Sequence, residues 1–181
     1  MGAISALLLI SSLRAWADVS FGKWEWDIVK LRHGRHLPPL KISKLFFSGE
    51  DSLAGRLEAN VSLKNSGADR EGILLRYDLS AEVYSISNSR KEKGWTIPFA
   101  VDERRIPRLK SGQSLNVAFD ITEVTRDYFK RLSLEGWRPK KIKMKIMIEP
   151  QQGEDSALKK TESILPIVNL SKSTEKKGIH D

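Results

Sequence analysis

Alternation of apolar and polar side chains with a period of two residues is the feature that most limits the folds open to this chain. In residues 56–64, Leu57, Ala59, Val61 and Leu63 occupy one side, and charged or polar residues stand between them. Successive side chains of a β-strand point to opposite faces, so this pattern is typical of a half-buried strand. Residues 75–83 repeat it, and most of the chain between 18 and 170 is therefore predicted to be β-structure.

The two clearest runs are separated by a short segment with turn chemistry, "NSGAD" at 65–69. Gly67 can adopt a positive φ, and the side chains of Asn65 and Asp69 can bond to their own backbone. The segment therefore predicts an antiparallel hairpin of the two runs at the centre of the fold.

Several shorter runs are also strand candidates. Trp24, Trp26 and Ile28 share one side of the first, and Pro98 and Pro166 place two others at sheet edges, because proline cannot donate to a ladder. The remaining candidates are 40–49, 94–101, 114–121, 140–149 and 163–170.

One segment breaks the strand pattern. Residues 122–136 carry apolar residues near helical spacing, with Thr122 as an N-cap and Gly136 as a C-cap. The apolar positions are Val124, Tyr128, Leu132 and Leu134. About eight strands and one inserted helix predict a mainly β, immunoglobulin-like antiparallel β-sandwich. A closed barrel fits less well, since two proline-bearing strands indicate open edges.

Three central segments resemble small exported immunoglobulin-like modules, of the bacterial cell-adhesion-related and water-stress-domain types. They are "ANVSLKNSG" (59–67), "LRYDLSAEVYS" (75–85) and "IPRLKSGQSLNVAFDI" (106–121), which together span about 65 residues. The resemblance implies the sandwich fold and a noncatalytic binding or scaffolding role, and it fixes no ligand residue. The helix at 122–136 departs from the pattern of both types.

The N-terminal residues have the features of an export signal. Residues 3–13 are apolar but too short to span a bilayer, and Ala15-Trp16-Ala17 predicts cleavage before Asp18. No basic residue precedes the apolar run, so a buried amphipathic helix and a retained anchor stay open as alternatives. We expect a signal peptide at 1–17, a β-sandwich domain at 18–170 and a disordered tail at 171–181. The location is then periplasmic or extracellular, and the absence of cysteine from an exported chain favours a bacterial source.

Residues suited to catalysis or metal binding are few. The absence of cysteine excludes thiol catalysis and thiolate metal sites. His33 and His36 are spaced for one ion, but their segment "RHGRH" is cationic, so a solvated loop is favoured over a metal site. The carboxylate pairs Glu50-Asp51 and Asp102-Glu103 are interpreted as surface charge. We therefore expect no enzymatic activity, no metal and no cofactor.

A lysine-rich strand is the most distinctive candidate binding feature. Lys141, Lys143 and Lys145 alternate with apolar residues and share one face of the strand, and Arg138 and Lys140 precede them. Cations about 7 Å apart can match repeated anionic groups on a polymer or membrane surface. The alternative is an edge strand that lysines protect against aggregation, and this alternative is favoured.

Trp24 and Trp26 allow three interpretations. Core packing is favoured, but the pair can also stack on a sugar or belong to a strand donated to another subunit.

The sequence thus predicts an exported, non-catalytic protein-interaction or structural module of the cell envelope. The net charge of +8, which becomes +7 without residues 1–17, supports the alternative of a binder of anionic polymer or lipid headgroups. Nucleic acid is not expected as a partner.

Overall fold

A computed structural model describes residues 18–32, 34–48, 55–86, 93–150 and 158–170. The strands in chain order are β1 (Val19–Val29), β2 (Leu31–Arg32), β3 (Arg35–His36), β4 (Leu40–Lys41), β5 (Leu45–Phe47), β6 (Arg56–Asn65), β7 (Arg70–Ser85), β8 (Lys93–Trp95), β9 (Ala100–Leu109), β10 (Ser114–Asp120), β11 (Trp137–Ile148) and β12 (Lys159–Asn169). One helix, α1 (Thr122–Leu134), lies between β10 and β11.

The strands form two layers and one small ribbon. The first layer has four strands in the order β10-β6-β1-β4, and the second has six, in the order β5-β12-β11-β7-β8 with β9 also paired to β7. All pairings in the two layers are antiparallel except β12 with β5. Among the described strands, β2 and β3 pair only with each other. The predicted mainly β, antiparallel sandwich with one inserted helix is confirmed.

The apolar sides of both layers form a single core. The predicted inward residues Leu57, Ala59, Val61 and Leu63 of β6 are fully buried in it, as are Ile142, Met144 and Ile146 of β11. Across the core, the indole N–H groups of Trp24 and Trp26 in β1 donate to hydroxyls of β12. The alternation therefore indicates correctly which side of each strand is buried.

The predicted central hairpin is wrong. β6 pairs with β1 and β10 in the first layer, whereas β7 pairs with β8, β9 and β11 in the second. Residues 66–69 carry the chain across the sandwich, and Asn65 fixes this corner by donating its amide to the carbonyls of Ala68 and Leu109. Turn residues indicate a change of direction, but they do not specify whether the next strand returns to the same sheet.

Two other predicted strands are each divided into two strands in the structure. The candidate strand at 40–49 is two short strands, β4 in the first layer and β5 in the second. The candidate at 94–101 lies at an edge as predicted, but it is divided into β8 and β9, and Pro98 lies in the interruption between them.

The helix covers one end of the sandwich. Gly136 follows it with a φ of 79°, as the C-terminal signal predicts, but Ile121 rather than Thr122 occupies the N-cap position. Phe129 is fully buried, and its ring contacts that of Phe47 edge to face, whereas Leu134 is exposed. Of the apolar positions at near-helical spacing, Leu132 is buried in the core, whereas Leu134 is the last residue of the helix and faces solvent. In the described part of the chain, no helix has the length and apolar character needed to cross a membrane.

Candidate binding face on the six-stranded sheet

The lysine-rich strand is β11, and it lies inside its sheet. β11 is hydrogen-bonded to β12 on one side and to β7 on the other over most of its length. The favoured interpretation as an edge strand protected by lysines is therefore wrong. An alternating lysine pattern looks the same in an edge strand and in a central strand with one solvated face, so only the pairing distinguishes them.

The basic residues of this strand separate into two groups. Lys141, Lys143 and Lys145 point to the outer face, the side turned away from the first layer, because Ile142, Met144 and Ile146 between them are buried inward. Lys140 lies where the register with β7 shifts and is exposed. Arg138 instead turns towards the helix, where its guanidinium donates to the hydroxyl of Ser133 at 2.8 Å.

Acidic residues of the neighbouring strands accompany the outward lysines. Lys141 stands opposite Glu82 of β7, and its ammonium lies 2.8 Å from that carboxylate. Lys145 stands opposite Asp78 of β7 and Glu162 of β12. The hydrogen bond from Lys141, and the charges of Lys140 and Lys141, hold the pKa of the Glu82 carboxyl below its ordinary value although burial opposes this. Much of the positive charge of the strand is therefore balanced within the sheet.

Lys143 differs from its neighbours, since it faces Ser80 and Ile164 rather than acids. Its ammonium lies 4.4 Å from the ring centroid of Trp95 in β8. This cation–π contact holds both side chains against the sheet, and it covers one face of the indole. Trp95 was not predicted as a site residue, because the pairing of β8 with β7 that brings it to Lys143 is not visible in the sequence.

Beyond the lysines, the outer face becomes apolar. Phe46, Ile164 and Val168 are 50%, 43% and 36% exposed there, and Pro166 lies between the last two on β12. We call Phe46, Ile164, Pro166 and Val168 the outer strip. Their inward neighbours Leu165 and Ile167 are buried, so alternation in β12 fixes the outward direction of the strip. The signal was present in the sequence, because apolar residues at 164–168 occupy both sides of the strand.

Trp24 and Trp26 do not lie on this face. Trp26 is 6% exposed and donates its indole N–H to Ser163 at 2.8 Å, and Trp24 donates to Thr161 at 3.0 Å. This position corresponds to the favoured core-packing interpretation. Stacking of Trp26 on a sugar would require the two layers to separate. β1 itself is paired between β6 and β4 of its own sheet.

The other candidate residues are dispersed. His36 is exposed in the small β2–β3 ribbon, and His33, Glu50 and Asp51 lie outside the described residues. Asp102 and Glu103 lie on the edge strand β9, where Asp102 accepts a hydrogen bond from the hydroxyl of Tyr77. Across the five described ranges, no group of three or more histidine or carboxylate side chains is arranged to hold a metal ion.

Comparison with known proteins gives neighbours in structure only. No protein-family model matches the chain, and no curated protein matches it in sequence. The C-terminal domain of wzt is similar with a TM-score of 0.39 and 7% identity, over 86% of this chain and 77% of that one.

Two glycosidases are also similar. Beta-D-glucoside glucohydrolase from Trichoderma reesei gives a TM-score of 0.36 at 12% identity, over 84% of this chain and 19% of that one. The beta-glucosidase from Listeria innocua gives 0.35 at 11%, over 84% and 16%. The chain thus spans less than a fifth of either glucosidase. With TM-scores and identities this low, none of the three neighbours supports a function for this chain.

Proposed function

We propose that this protein is an exported, non-catalytic interaction module of the bacterial cell envelope, which docks a protein partner on the outer face of its six-stranded sheet. The observation that carries the proposal is the outer strip, an exposed apolar surface beside lysines whose charges are largely balanced within the sheet. Contiguous exposed apolar surface on a soluble protein is a common mark of an interaction site.

The composition of the face suits a protein partner. Phe46, Ile164 and Val168 offer apolar area that a partner would remove from water. They project from paired strands, so little backbone entropy is lost when a partner docks. Trp95 and Lys143 add an aromatic group and a cation at the opposite border of the face, and aromatic residues are enriched at interfaces.

The charged residues of the face would give orientation rather than affinity. Glu82, Asp78 and Glu162 alternate with the lysines of β11 across the sheet. A surface that mixes both charge signs attracts a partner whose charges have the complementary arrangement. It responds less strongly to a surface of uniform charge than a row of lysines alone would.

Export rests on the apolar run at 3–13 and the small residues at 15 and 17. A mature chain that starts at Asp18 retains every strand and the helix described above, because β1 begins at Val19. Asp18 itself is paired with Lys159 and accepts a hydrogen bond from Ser66. N-terminal sequencing of the protein from its native cells is expected to begin at Asp18, and a chain that retains residues 1–17 would contradict this part of the proposal.

The docking proposal is tested by quantitative co-purification from native cells in 0.5 M salt. We expect Ile164→Asp combined with Phe46→Ser to reduce recovery of one defined protein by about tenfold, since a buried charge opposes an apolar contact. Both positions are exposed, so the variant should remain folded by circular dichroism. Asn116→Asp, on the outer face of the four-stranded layer, is the matched control and should recover the same protein as the unmodified chain. Equal recovery by all three chains would contradict docking on this face.

A second candidate function is the binding of anionic polymer or membrane headgroups. Lys143 favours it, because its ammonium is held on Trp95 and faces no carboxylate across the strands. Exposed Lys140 adds to the same surface. Sedimentation with phosphatidylglycerol vesicles distinguishes the two functions: this candidate predicts binding at low salt that is lost on Lys143→Gln and above about 0.3 M salt. Vesicle binding that is weak at low salt and unchanged by Lys143→Gln would exclude it.

A further inference from the structure

A cleft of about 640 Å³ opens between the two layers at their β9 and β10 edges. These two strands are not paired with each other, and the first turn of α1 bounds the opening. Three carboxylates and two aromatic rings are among its walls. The lining consists of Tyr77, Phe99, Ala100, Val101, Asp102, Asp120, Glu123 and Val124. The volume is in the range of small-molecule sites.

The charged side chains that line the cleft are acidic, and arginines lie just outside the lining. Asp102, Asp120 and Glu123 supply its formal charges, and no basic residue is among the described residues that line it. The protein as a whole carries +8. From outside the lining, Arg126 pairs with Glu123, and the guanidinium of Arg56 lies 3.8 Å from the carboxylate of Asp120. Asp102 is therefore the lining carboxylate to which the described part of the chain supplies no ion pair.

The polar and aromatic groups of the cleft are held in place by contacts of their own. Asp102 accepts hydrogen bonds from the hydroxyl of Tyr77 at 3.2 Å and from the amide of Glu103 at 2.7 Å. Asp120 accepts from both the amide and the hydroxyl of Thr122, at 3.0 and 2.6 Å. An ionised carboxylate has about four acceptor positions, so each of these two groups can still accept from a ligand.

The aromatic walls are equally fixed. Phe99 is stacked on Tyr128 with 4.1 Å between centroids, and Tyr77 packs edge to face on Phe119 at 4.9 Å. Burial, and then the charge of Asp102, raises the pKa of Tyr77 to about 12. The hydroxyl therefore stays protonated at physiological pH and keeps its hydrogen bond to Asp102.

We infer that this cleft binds an organic cation, an ammonium or guanidinium group on an apolar stem. Carboxylates form charge-assisted hydrogen bonds with such a group, and aromatic rings attract it through their negative faces. Phe99, Val101 and Val124 offer the apolar contact that the stem requires. This inference goes beyond the proposed function, because the cleft lies at the β9 edge, and β7 and β11 separate it from the outer strip.

The test uses a matched pair of ligands, N-acetyl-arginine amide and N-acetyl-citrulline amide, which have the same shape and differ in charge. The full ¹⁵N-labelled chain is titrated with each, and the amide signals of residues 100–102 and 124 are followed. We expect the arginine derivative to shift these signals with an affinity about tenfold higher than that of citrulline, as charge-assisted hydrogen bonds imply. Equal affinities, or unchanged cleft signals with both ligands, would overturn the inference.

Variants and competing ions complete the test. Asp102→Asn keeps the shape of the side chain and a hydrogen-bond acceptor for Tyr77, and it should weaken binding of the arginine derivative about fivefold or more. Glu135→Gln, an equivalent charge loss just after the C-terminal end of α1 and outside the cleft lining, should leave binding unchanged. Tighter binding of the arginine derivative than of spermidine would assign the cleft to a protein side chain, and the reverse would assign it to a free polyamine. Calcium that shifts the same signals at a lower concentration than either organic cation would overturn the inference.

Discussion

Trp26 and Trp95 show how the pairing of strands decides the role of a residue. Trp26 is buried against β12 and bonded to Ser163, whereas Trp95 is 42% exposed and carries Lys143 on its ring. The inward direction of Trp26 follows from the alternation in β1, and core packing was predictable from it. The contact of Trp95 with Lys143 was not predictable, because the two residues are 48 positions apart in the chain.

The two residues should respond differently to truncation. Trp26→Ala is expected to lower the free energy of unfolding by about 3–5 kcal/mol, since it removes a large core side chain and leaves Ser163 without its donor. Trp95→Ala is the matched control and should cost less than about 1 kcal/mol, because the lost cation–π contact is partly solvated. Urea unfolding of the full chain measures both. Equal losses would contradict the burial of Trp26.

Glu82 should make stability depend on pH in the acid range. Lys141 and Lys140 lower the pKa of its carboxyl from the ordinary 4.5, so the folded state binds a proton less readily than the unfolded state. The stabilisation is present above pH 4.5 and is lost as the pH falls through the lowered pKa. The stability difference between the unmodified chain and Glu82→Gln is therefore expected to shrink on acidification.

Thermal unfolding between about pH 6 and pH 3 measures this difference. The stability difference between the unmodified chain and Lys141→Gln should decrease in the same way at low pH, because this variant removes the nearest cation. For Lys145→Gln the decrease should be smaller. A stability advantage of Glu82 that increases towards low pH would contradict the assigned pairing.

At the scale of elements, the sequence predicts correctly which side of a strand faces the core, but it does not predict which strands pair. Alternation is a local property, so the inward sides of β6 and β11 were predicted correctly. Pairing depends on contacts that are distant in sequence, and both the central hairpin and the edge position of β11 were therefore predicted wrongly. Clean alternation with charged outward residues occurs in central antiparallel strands that have one face in water.

The central position of β11 can be measured by hydrogen exchange. Amides of residues 142–146 donate to β7 or β12, so we expect them to exchange only through global unfolding. Among the described strands, β9 pairs with β7 alone, and amides on its other side should exchange much faster. Rapid exchange throughout 142–146 would restore the edge-strand interpretation.

The first residue of α1 joins the helix to the first layer. The hydroxyl of Thr122 accepts the amide of Leu57 at 2.8 Å and donates to Asp120 at 2.6 Å. Thr122→Val would leave the buried Leu57 amide without this acceptor, at an expected cost of about 1–3 kcal/mol in unfolding free energy.

Thr125 is the control for this prediction. It is fully buried, and its hydroxyl has no hydrogen-bond partner within the described part of the chain. Thr125→Val removes an unsatisfied polar group at nearly constant volume, so it should be neutral or stabilising. Chemical denaturation measures the unfolding free energy of both variants. Equal losses of stability would contradict the role of Thr122 in joining the helix to the sheet.

At the scale of the whole molecule, the core between the two layers was predictable from the sequence, whereas the candidate binding surfaces were not. The mainly β sandwich and its single helix follow from periodicity and turn signals. The outer strip and the cleft do not, since each collects residues from distant segments: Phe46 with Val168 in one case, and Tyr77 with Asp120 in the other. The lysine row was visible in the sequence, but the acids that balance it became apparent only when β7 and β12 were placed beside it.

The measurement that tests the docking proposal most directly is photo-cross-linking in native cells, with a benzophenone amino acid placed at one position at a time. The positions are Ile164 in the outer strip, Trp95 at the border of the same face, and Asn116 on the outer face of the opposite layer. We predict that Ile164 and Trp95 cross-link to the same protein and that Asn116 does not. Cross-links of equal yield from all three positions, or none from Ile164 and Trp95, would contradict docking on the six-stranded sheet.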